Sequence, residues 1–295
     1  MLRTAIAIVV SLVPGFVACD GDEAASDTTA DTTDTTDTVE SDTSADVEDT
    51  NVADAIEDSA ADTLQPDTAD TADTAGPTCV AHEPLCQDEQ IAELALKTKV
   101  STGKITEEGA TEGEFLTHID ATGGGMNPTM SYVYARFTAT GLEAVAISDE
   151  EAFESDAWDI SFRRYFIRLN GGVAGPSCVE GARTSPATTF ETLTAVPDGL
   201  TFRQEQYYTA DGCELVPDTS GLPGPQTVLS SFWSYPGCVK MTFNTYVIAL
   251  ADGRHVKFQV KSYYTPSVQD SCNDSGTLTT PSGAGNFRVR WAFLD

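Results

Sequence analysis

The chain has 295 residues, of which 46 are acidic and 16 are basic, and its formal net charge is −30. A charge this negative repels nucleic acid and anionic lipid surfaces, and therefore argues against both as the main partner. Residues 20–76 contain 19 of the acidic side chains and no Lys or Arg, so nearly two thirds of the net charge lies in under a fifth of the chain. The residues that follow can bury one substantial core, because all-β domains often run to about 200–250 residues.

The N-terminus has the layout of a bacterial lipoprotein signal peptide. Arg3 supplies a positive charge, residues 4–13 are nearly all apolar, and small side chains precede Cys19. The apolar run is shorter than the stretch of about 20 residues that a bilayer-spanning helix needs. The segment resembles a lipobox, in which the cysteine is diacylated and becomes the mature N-terminus, although Phe16 departs from the usual Leu. An ordinary cleaved signal with an incidental cysteine is the alternative.

We therefore predict a signal peptide over residues 1–18 and a lipid anchor at Cys19. Two acyl chains hold a protein on a membrane far better than one. The expected location is the bacterial cell envelope, at the outer membrane or the cell surface, and the expected contact with the membrane is through the lipid anchor only.

Residues 19–76 repeat Asp, Thr and Ala and contain no aromatic side chain. Such a segment cannot bury enough apolar surface to offset its ordering entropy, and repulsion between carboxylates keeps it extended. We predict a disordered acidic tether that holds the following domain away from the membrane. Calcium binding is the functional alternative, but no loop here has the Asp-x-Asp-x-Asp-Gly spacing that brings oxygens together around one ion.

Six cysteines remain once Cys19 is assigned to the lipid, and an even number outside the cytoplasm predicts three disulfides. They are Cys79, Cys86, Cys178, Cys213, Cys238 and Cys272. Cys79 and Cys86 are seven positions apart around Pro84, so we expect them to close a small local loop. Cys-x-x-Cys pairs and Cys/His clusters at zinc spacing are missing from the sequence, which argues against a structural zinc site.

Alternating apolar and polar residues predict that residues 77–295 form a single antiparallel all-β domain. The predicted strands are residues 131–138, 200–208, 243–250, 255–264 and 287–293. Asp252-Gly253 lies between two of these runs and is a typical hairpin turn. A short helix is predicted only over residues 89–97.

The alternation changes phase within one further predicted strand. Apolar residues over 158–162 lie on one parity, and those over 165–169 continue on the other. One extra residue in a strand re-aims the side chains that follow it, so we predict a β-bulge at Arg163-Arg164.

An ordered set of short motifs in this domain resembles the HmuY family of haem-binding lipoproteins. Its centre is Trp158-Asp159-Ile160, Arg164-Tyr165 and Arg168-Leu169-Asn170-Gly171-Gly172. Further matches are His118-Ile119-Asp120-Ala121, the strand that follows it, Ala195-Val196-Pro197, and the hairpin from Tyr246-Val247-Ile248 to Tyr263-Tyr264. The resemblance covers residues 115–295 and implies an all-β surface lipoprotein that captures haem.

The resemblance also implies where haem ligands would lie. In the best-known haem-binding relatives, two His from separate loops clamp the iron, and other relatives use Met. The matching positions here fall in Asp211-Gly212-Cys213 and Tyr235-Pro236-Gly237-Cys238, and neither loop contains His or Met. Two cysteines at facing ligand positions in an oxidising compartment are expected to form a Cys213–Cys238 disulfide, which would close the cleft where haem enters.

Other iron ligands remain open from sequence. Met241 follows Cys238 by three positions and is the candidate haem ligand, with a buried core methionine as the alternative. The remaining candidates, which we expect to be solvated or packing residues, are His82, His118, His255, Met126 and Met130.

A group of arginines near the central motif is the expected counterpart of the haem propionates. They are Arg163, Arg164, Arg168, Arg288 and Arg290, which fall on two predicted strands. This group could form a local basic patch on a domain that has 27 acidic and 15 basic residues.

Common catalytic motifs are missing from the sequence, and Asp156 with Asp159 is the one carboxylate pair considered. We therefore do not expect an enzyme. The first functional hypothesis is capture of haem or a similar planar tetrapyrrole. The second is a disulfide-braced binding or cell-envelope module on the same fold, with another ligand or a surface partner.

Overall fold

The computed structural model describes residues 79–111, 113–123 and 127–294. These residues belong to one compact unit, Ala69–Asp295. The predicted signal peptide, the lipid anchor at Cys19, the tether and Met126 lie outside the described residues. Within the described part, no helix has the length and apolar character needed to cross a membrane.

Antiparallel strands account for most of the regular structure, as the alternation of apolar residues predicts. The strands are β1 Ile105–Thr111, β2 Glu114–Asp120, β3 Val133–Thr138, β4 Gly141–Val145, β5 Ile160–Arg163, β6 Phe166–Leu169, β7 Glu180–Arg183, β8 Trp233–Ser234, β9 Lys240–Met241, β10 Thr245–Ala249, β11 His255–Ser262 and β12 Asn286–Leu294. A six-stranded sheet has the order β1-β2-β12-β11-β10-β7, and a four-stranded sheet has the order β4-β3-β5-β6. Strands β8 and β9 form a separate two-stranded ribbon. The predicted all-β fold is confirmed.

The four-stranded sheet packs apolar side chains on both of its faces. On β3, Val133, Ala135 and Phe137 face a core shared with the six-stranded sheet. Tyr134, on the same strand, instead belongs to a second buried cluster that includes Trp158. Successive side chains on a strand point to opposite faces, so one short strand contributes to both clusters.

The predicted β-bulge at Arg163-Arg164 is wrong, because the chain reverses direction there. Strands β5 and β6 pair antiparallel, with Arg163 opposite Phe166. Arg164 lies in the turn with a φ of 51°, a left-handed conformation that is uncommon for a residue other than glycine. Two strands separated by a two-residue turn produce the same change of parity as a bulge, and without a glycine the turn is hard to recognise.

Helices account for two further differences. Helix α1 spans Gln87–Glu93, so the predicted helix exists but begins and ends earlier. Helix α2 spans Pro266–Ser275 and was not predicted. Residues 200–208, predicted as a strand, make only isolated bridges, at Arg203, Glu205 and Tyr208.

The central motif around Trp158 has a structural explanation in packing. Trp158 is fully buried and donates its indole N–H to the Ala152 carbonyl at 3.2 Å. Asn170 donates its side-chain amide to the Trp158 carbonyl at 2.7 Å. Gly171 and Gly172 lie against backbone carbonyl groups of neighbouring segments, where a Cβ atom would collide. These residues therefore hold the end of β6 to the segments beside it.

Candidate functional site

The first loop at which the family resemblance places a ligand is the turn around Cys213. Its backbone closes through hydrogen bonds from the Cys213 N–H to the Thr209 carbonyl and from the Thr209 N–H to the Glu214 carbonyl. Cys213 has a φ of 48° and is disulfide-bonded to Cys86, the residue just before helix α1. This loop is therefore anchored to the N-terminal end of the described domain.

The second such loop connects β8 to β9. Tyr235 at its tip is 41% exposed, whereas Cys238 is fully buried. Cys238 is disulfide-bonded to Cys272 on helix α2. The sulfur at this position therefore faces the core and the helix.

The predicted Cys213–Cys238 disulfide is wrong, and so is the predicted local loop between Cys79 and Cys86. Three disulfides are present, as expected, but they are Cys79–Cys178, Cys86–Cys213 and Cys238–Cys272. The pairing could not be predicted because Cys272, the partner of Cys238, lies on α2, and the polar composition of α2 gives no helical pattern of apolar residues. The partner of Cys213 lies in a segment more than a hundred residues earlier in the chain.

Haem does not fit the two positions that the resemblance indicates. A haem thiolate ligand needs an ionised sulfur with a free lone pair, and a disulfide sulfur carries no such charge. Both cysteines are in disulfides to other partners, so the two loops do not provide a pair of axial ligands.

Met241, the candidate ligand from sequence, lies on β9 opposite Trp233. It is 4% exposed and belongs to the main apolar core. Its backbone N–H donates to the Asn273 side chain on α2 at 3.0 Å. An iron atom could reach this sulfur only if the ribbon and α2 moved apart.

The predicted basic patch of arginines is also wrong. Arg163 and Arg168 are buried and both face Asp149, with nitrogen–oxygen distances of 3.2 and 4.0 Å. Both guanidinium groups stack on the Tyr132 ring. Burial of two arginines requires a counter-charge and a stacking partner, and Asp149 and Tyr132 supply them.

The arginines of β12 lie on the other sheet and are likewise paired. Arg288 forms a bidentate pair with Glu108. Arg290 bridges Glu114 and Glu191 at 2.7 and 2.6 Å. These guanidinium groups are engaged by carboxylates, so they do not form one surface for propionates.

A cavity of about 420 Å³ lies beside the first ligand loop. Leu85, Val173 and Tyr208 contribute apolar surface to it, and Thr209 of the loop lies at its edge. Leu85 is 58% exposed, which leaves a large apolar side chain at the cavity mouth. The size is within the range of small-molecule sites, about 300–1,000 Å³.

His82, which is expected from sequence to be a solvated or packing residue, also lines this cavity. It is half-buried, and its Nε2 lies 3.0 Å from the Gly172 carbonyl oxygen. A carbonyl only accepts, so Nε2 carries the proton and Nδ1 has the lone pair when the ring is neutral. A carbonyl that holds the second ring nitrogen is a common support for a metal-ligating histidine. The sequence indicates this placement only through the position of His82 between Cys79 and Cys86. Both cysteines are disulfide-bonded to the β domain, so the segment between them is held against it.

The other histidines are already engaged elsewhere. The His118 ring contacts the Asn286 side chain at 3.2 Å. The His255 ring packs beside Phe202, with ring centroids 5.7 Å apart. Neither residue lines the cavity that contains His82.

Tyr208 contributes a neutral phenol to the cavity. Its hydroxyl donates to the Glu93 carboxylate at 2.9 Å. Burial first, and then the neighbouring Glu93 carboxylate, raise the pKa of Tyr208 above its usual value. The phenol therefore keeps its proton and offers an aromatic face rather than a phenolate ligand.

Asp156 and Asp159, the carboxylate pair considered from sequence, line a separate cavity of about 260 Å³ with Arg136 and Arg254. Burial raises the pKa of Asp159 to about 6, although its carboxylate accepts the Phe137 N–H at 2.8 Å. That hydrogen bond gives Asp159 a structural role at the end of β3.

Solved structures with similarity to this chain include a protein from Bacteroides fragilis described as a lipoprotein, at 14% identity and a TM-score of 0.40, covering 63% of this chain and 94% of that one. They also include a protein from Bacteroides vulgatus described as HmuY-like and heme binding, at 16% identity and a TM-score of 0.41, covering 64% and 96%. The apo HmuY analogue of Tannerella forsythia has 16% identity and a TM-score of 0.36, covering 66% and 100%.

No curated protein matches this chain. The family model described as HmuY protein matches residues 24–276, which is most of the chain. This match agrees with the motifs around Trp158 and with the all-β architecture. The chain belongs to the HmuY family.

Proposed function

We propose that this protein is a lipid-anchored member of the HmuY family that captures haem or a similar planar tetrapyrrole at the cell envelope. The anchor would be the predicted diacylated Cys19, and the predicted acidic tether over residues 19–76 would hold the domain away from the membrane. Family membership supports a haem ligand, because HmuY-like relatives are described as heme binding.

The observation that carries the proposal is the cavity beside the first ligand loop. It combines apolar side chains, an aromatic ring and one imidazole, which is the set of groups that a planar iron-containing ligand requires. His82 would supply one axial nitrogen, and Leu85 and Val173 would contact the ring edges. The role of Met241 as ligand is the competing version of the same function.

Haemin titration followed in the Soret region tests this function. We expect a shifted Soret band with the wild-type protein and at least a tenfold weaker affinity for His82→Ala, because the axial nitrogen is lost. His255→Ala is the matched control, since it removes a half-buried histidine outside the cavity, and its titration should equal that of the wild type. Met241→Leu, which conserves core volume, should also leave the spectrum unchanged.

A Soret band that stays unshifted under both oxidising and reducing conditions would remove haem from the proposal. A normal spectrum for His82→Ala together with an altered one for Met241→Leu would assign the ligand to Met241 instead.

The second candidate function is a binding or cell-envelope module that does not bind haem. The disulfides at both family ligand positions favour it, because they replace ligation with covalent bracing. In that case the titration shows no band for any variant, and the protein serves another ligand or a surface partner.

A further inference from the structure

A third cavity, of about 540 Å³, lies between β7, the segment around Arg203 and the chain leading into β8. Two arginines line it, Arg183 and Arg203. His, Met and free thiol groups are missing from its lining, so it lacks donors for iron. The chemistry of this cavity therefore differs from that of the cavity with His82.

The backbone brings the two arginines together on one face. Gly181 and Arg203 form an antiparallel bridge, with N–H to carbonyl distances of 3.0 and 3.1 Å in the two directions. Arg183 is two residues beyond Gly181, so its Cβ points to the same face as that of Arg203. Diagonal neighbours of this kind are within reach of each other's long side chains. Gly181 itself places no side chain between them.

Neither guanidinium group is neutralised by a carboxylate within the described residues. The arginines that do form ion pairs there are Arg163, Arg168, Arg254, Arg288 and Arg290. Asp218 is the one carboxylate that lines the cavity, and it already accepts the Ser220 N–H and hydroxyl. The cavity therefore carries a net positive charge in a chain of net charge −30.

Neutral hydrogen-bonding groups surround this charge. Thr201, Gln226 and Ser230 line the cavity, and their side chains make no hydrogen bond to any residue that the structure describes. Trp233, which is 4% exposed, supplies an apolar wall. Guanidinium groups bind carboxylates and sulfates through paired N–H donors, and hydroxyl and amide groups bind sugar hydroxyls.

We propose that this cavity binds a small sugar that bears a carboxylate or sulfate group. Arg183 and Arg203 hold the anionic group, and the hydroxyl and amide side chains contact the sugar hydroxyls. The volume suits one or two sugar rings, and the site functions whether or not the protein binds haem.

Isothermal titration with glucuronate, glucose 6-sulfate and glucose tests the proposal. We expect at least one of the two acids to bind with a dissociation constant of about 1 mM or tighter, and glucose to bind at least about tenfold more weakly. The acid that binds identifies the anionic group. The double variant Arg183→Gln/Arg203→Gln should lose at least tenfold in affinity, and Arg203→Lys should lose less because it keeps the charge.

Arg254→Gln is the matched control, because Arg254 is a partly exposed arginine that lies outside this cavity and pairs with Asp252. Its affinity for the acid should equal that of the wild type. Equal binding of glucose, no binding of either acid, or full affinity in the Arg183→Gln/Arg203→Gln variant would each overturn the proposal. Both arginines are exposed, so the single variants Arg183→Gln and Arg203→Gln remain available if the double variant misfolds.

Discussion

Glu205 shows how a single residue couples the core to pH. It is fully buried, and its two carboxylate oxygens accept the backbone N–H groups of Leu169 and Val228 at 3.0 and 2.8 Å. Burial raises its pKa from 4.5 to about 7, and the two hydrogen bonds oppose that shift only in part. The folded protein therefore holds a proton on Glu205 at a pH where the unfolded chain has released it.

The sign of the pH dependence follows from this difference. Because the folded pKa is raised, the stabilisation is fully present below about pH 4.5 and is lost as the pH rises through about 7. We expect the melting temperature of the wild-type protein to fall between pH 5 and pH 8, measured by thermal unfolding. Asp159, whose pKa burial raises to about 6, contributes in the same direction.

Glu205→Gln isolates the contribution of Glu205, because Asp159 is retained in both proteins. The variant should show a flatter pH profile, since the amide does not titrate. It should also be less stable at pH 5 by about 1–3 kcal/mol, because the amide nitrogen would face a backbone N–H donor. Parallel pH profiles for the two proteins would contradict the assignment.

Residue-level prediction from sequence succeeded for apolar side chains and failed for polar ones. The alternation over residues 287–293 places Phe287, Val289 and Trp291 in the core, as the structure has them. The pairing of Arg163 and Arg168 with Asp149 could not be predicted. Asp149 lies in a loop, and its separation in sequence from the two arginines does not indicate that they are in contact.

Helix α2 is the element that most changes the site. Gln269 fixes it to the sheet, because its side-chain oxygen accepts the N–H groups of Tyr263 and Tyr264 and its nitrogen donates to the Val239 carbonyl. Cys272 adds the covalent link to Cys238. Through these contacts α2 holds the second ligand loop against the core.

Removal of the Cys238–Cys272 disulfide should loosen this element. The bridge closes a separation of 34 residues, and loss of a loop of that size costs about 3–4 kcal/mol. We expect Cys238→Ser/Cys272→Ser to lower stability to chemical denaturation by that amount and to speed hydrogen exchange in α2. Cys79→Ser/Cys178→Ser is the control, since it removes a disulfide but should leave exchange in α2 unchanged. Equal exchange of α2 in wild type and Cys238→Ser/Cys272→Ser would show that Gln269 alone fixes the helix.

Element-level prediction depended on how strongly each segment is patterned. Strands β11 and β12 alternate over many residues and were predicted, whereas α2 buries only Val268, Gln269 and Cys272 and looks polar. The available signal for α2 was Pro266 at its first turn and Gly276 just after its end. Residues 200–208 alternate like a strand but make only isolated bridges, because β7 is short and its neighbour on that side is irregular.

The whole molecule combines a fold that the sequence predicts with a site that it does not. The resemblance around Trp158 indicates the correct family. The same residues pack the end of the four-stranded sheet. At the two loops where the resemblance places haem ligands, the chain carries disulfide-bonded cysteines. The net charge of the whole chain does not predict local charge either, because a cavity lined by Arg183 and Arg203 lies in a strongly acidic chain.

The central claim is that the cysteines of the two loops where the resemblance places haem ligands form disulfides to partners outside those loops. Non-reducing peptide mapping by mass spectrometry of the full-length protein tests it most directly. We expect three linked peptide pairs, which join Cys79 to Cys178, Cys86 to Cys213 and Cys238 to Cys272. A Cys213–Cys238 linked pair would contradict the account. Free thiols at both positions would also contradict it, and would return these two loops to consideration as the ligand site.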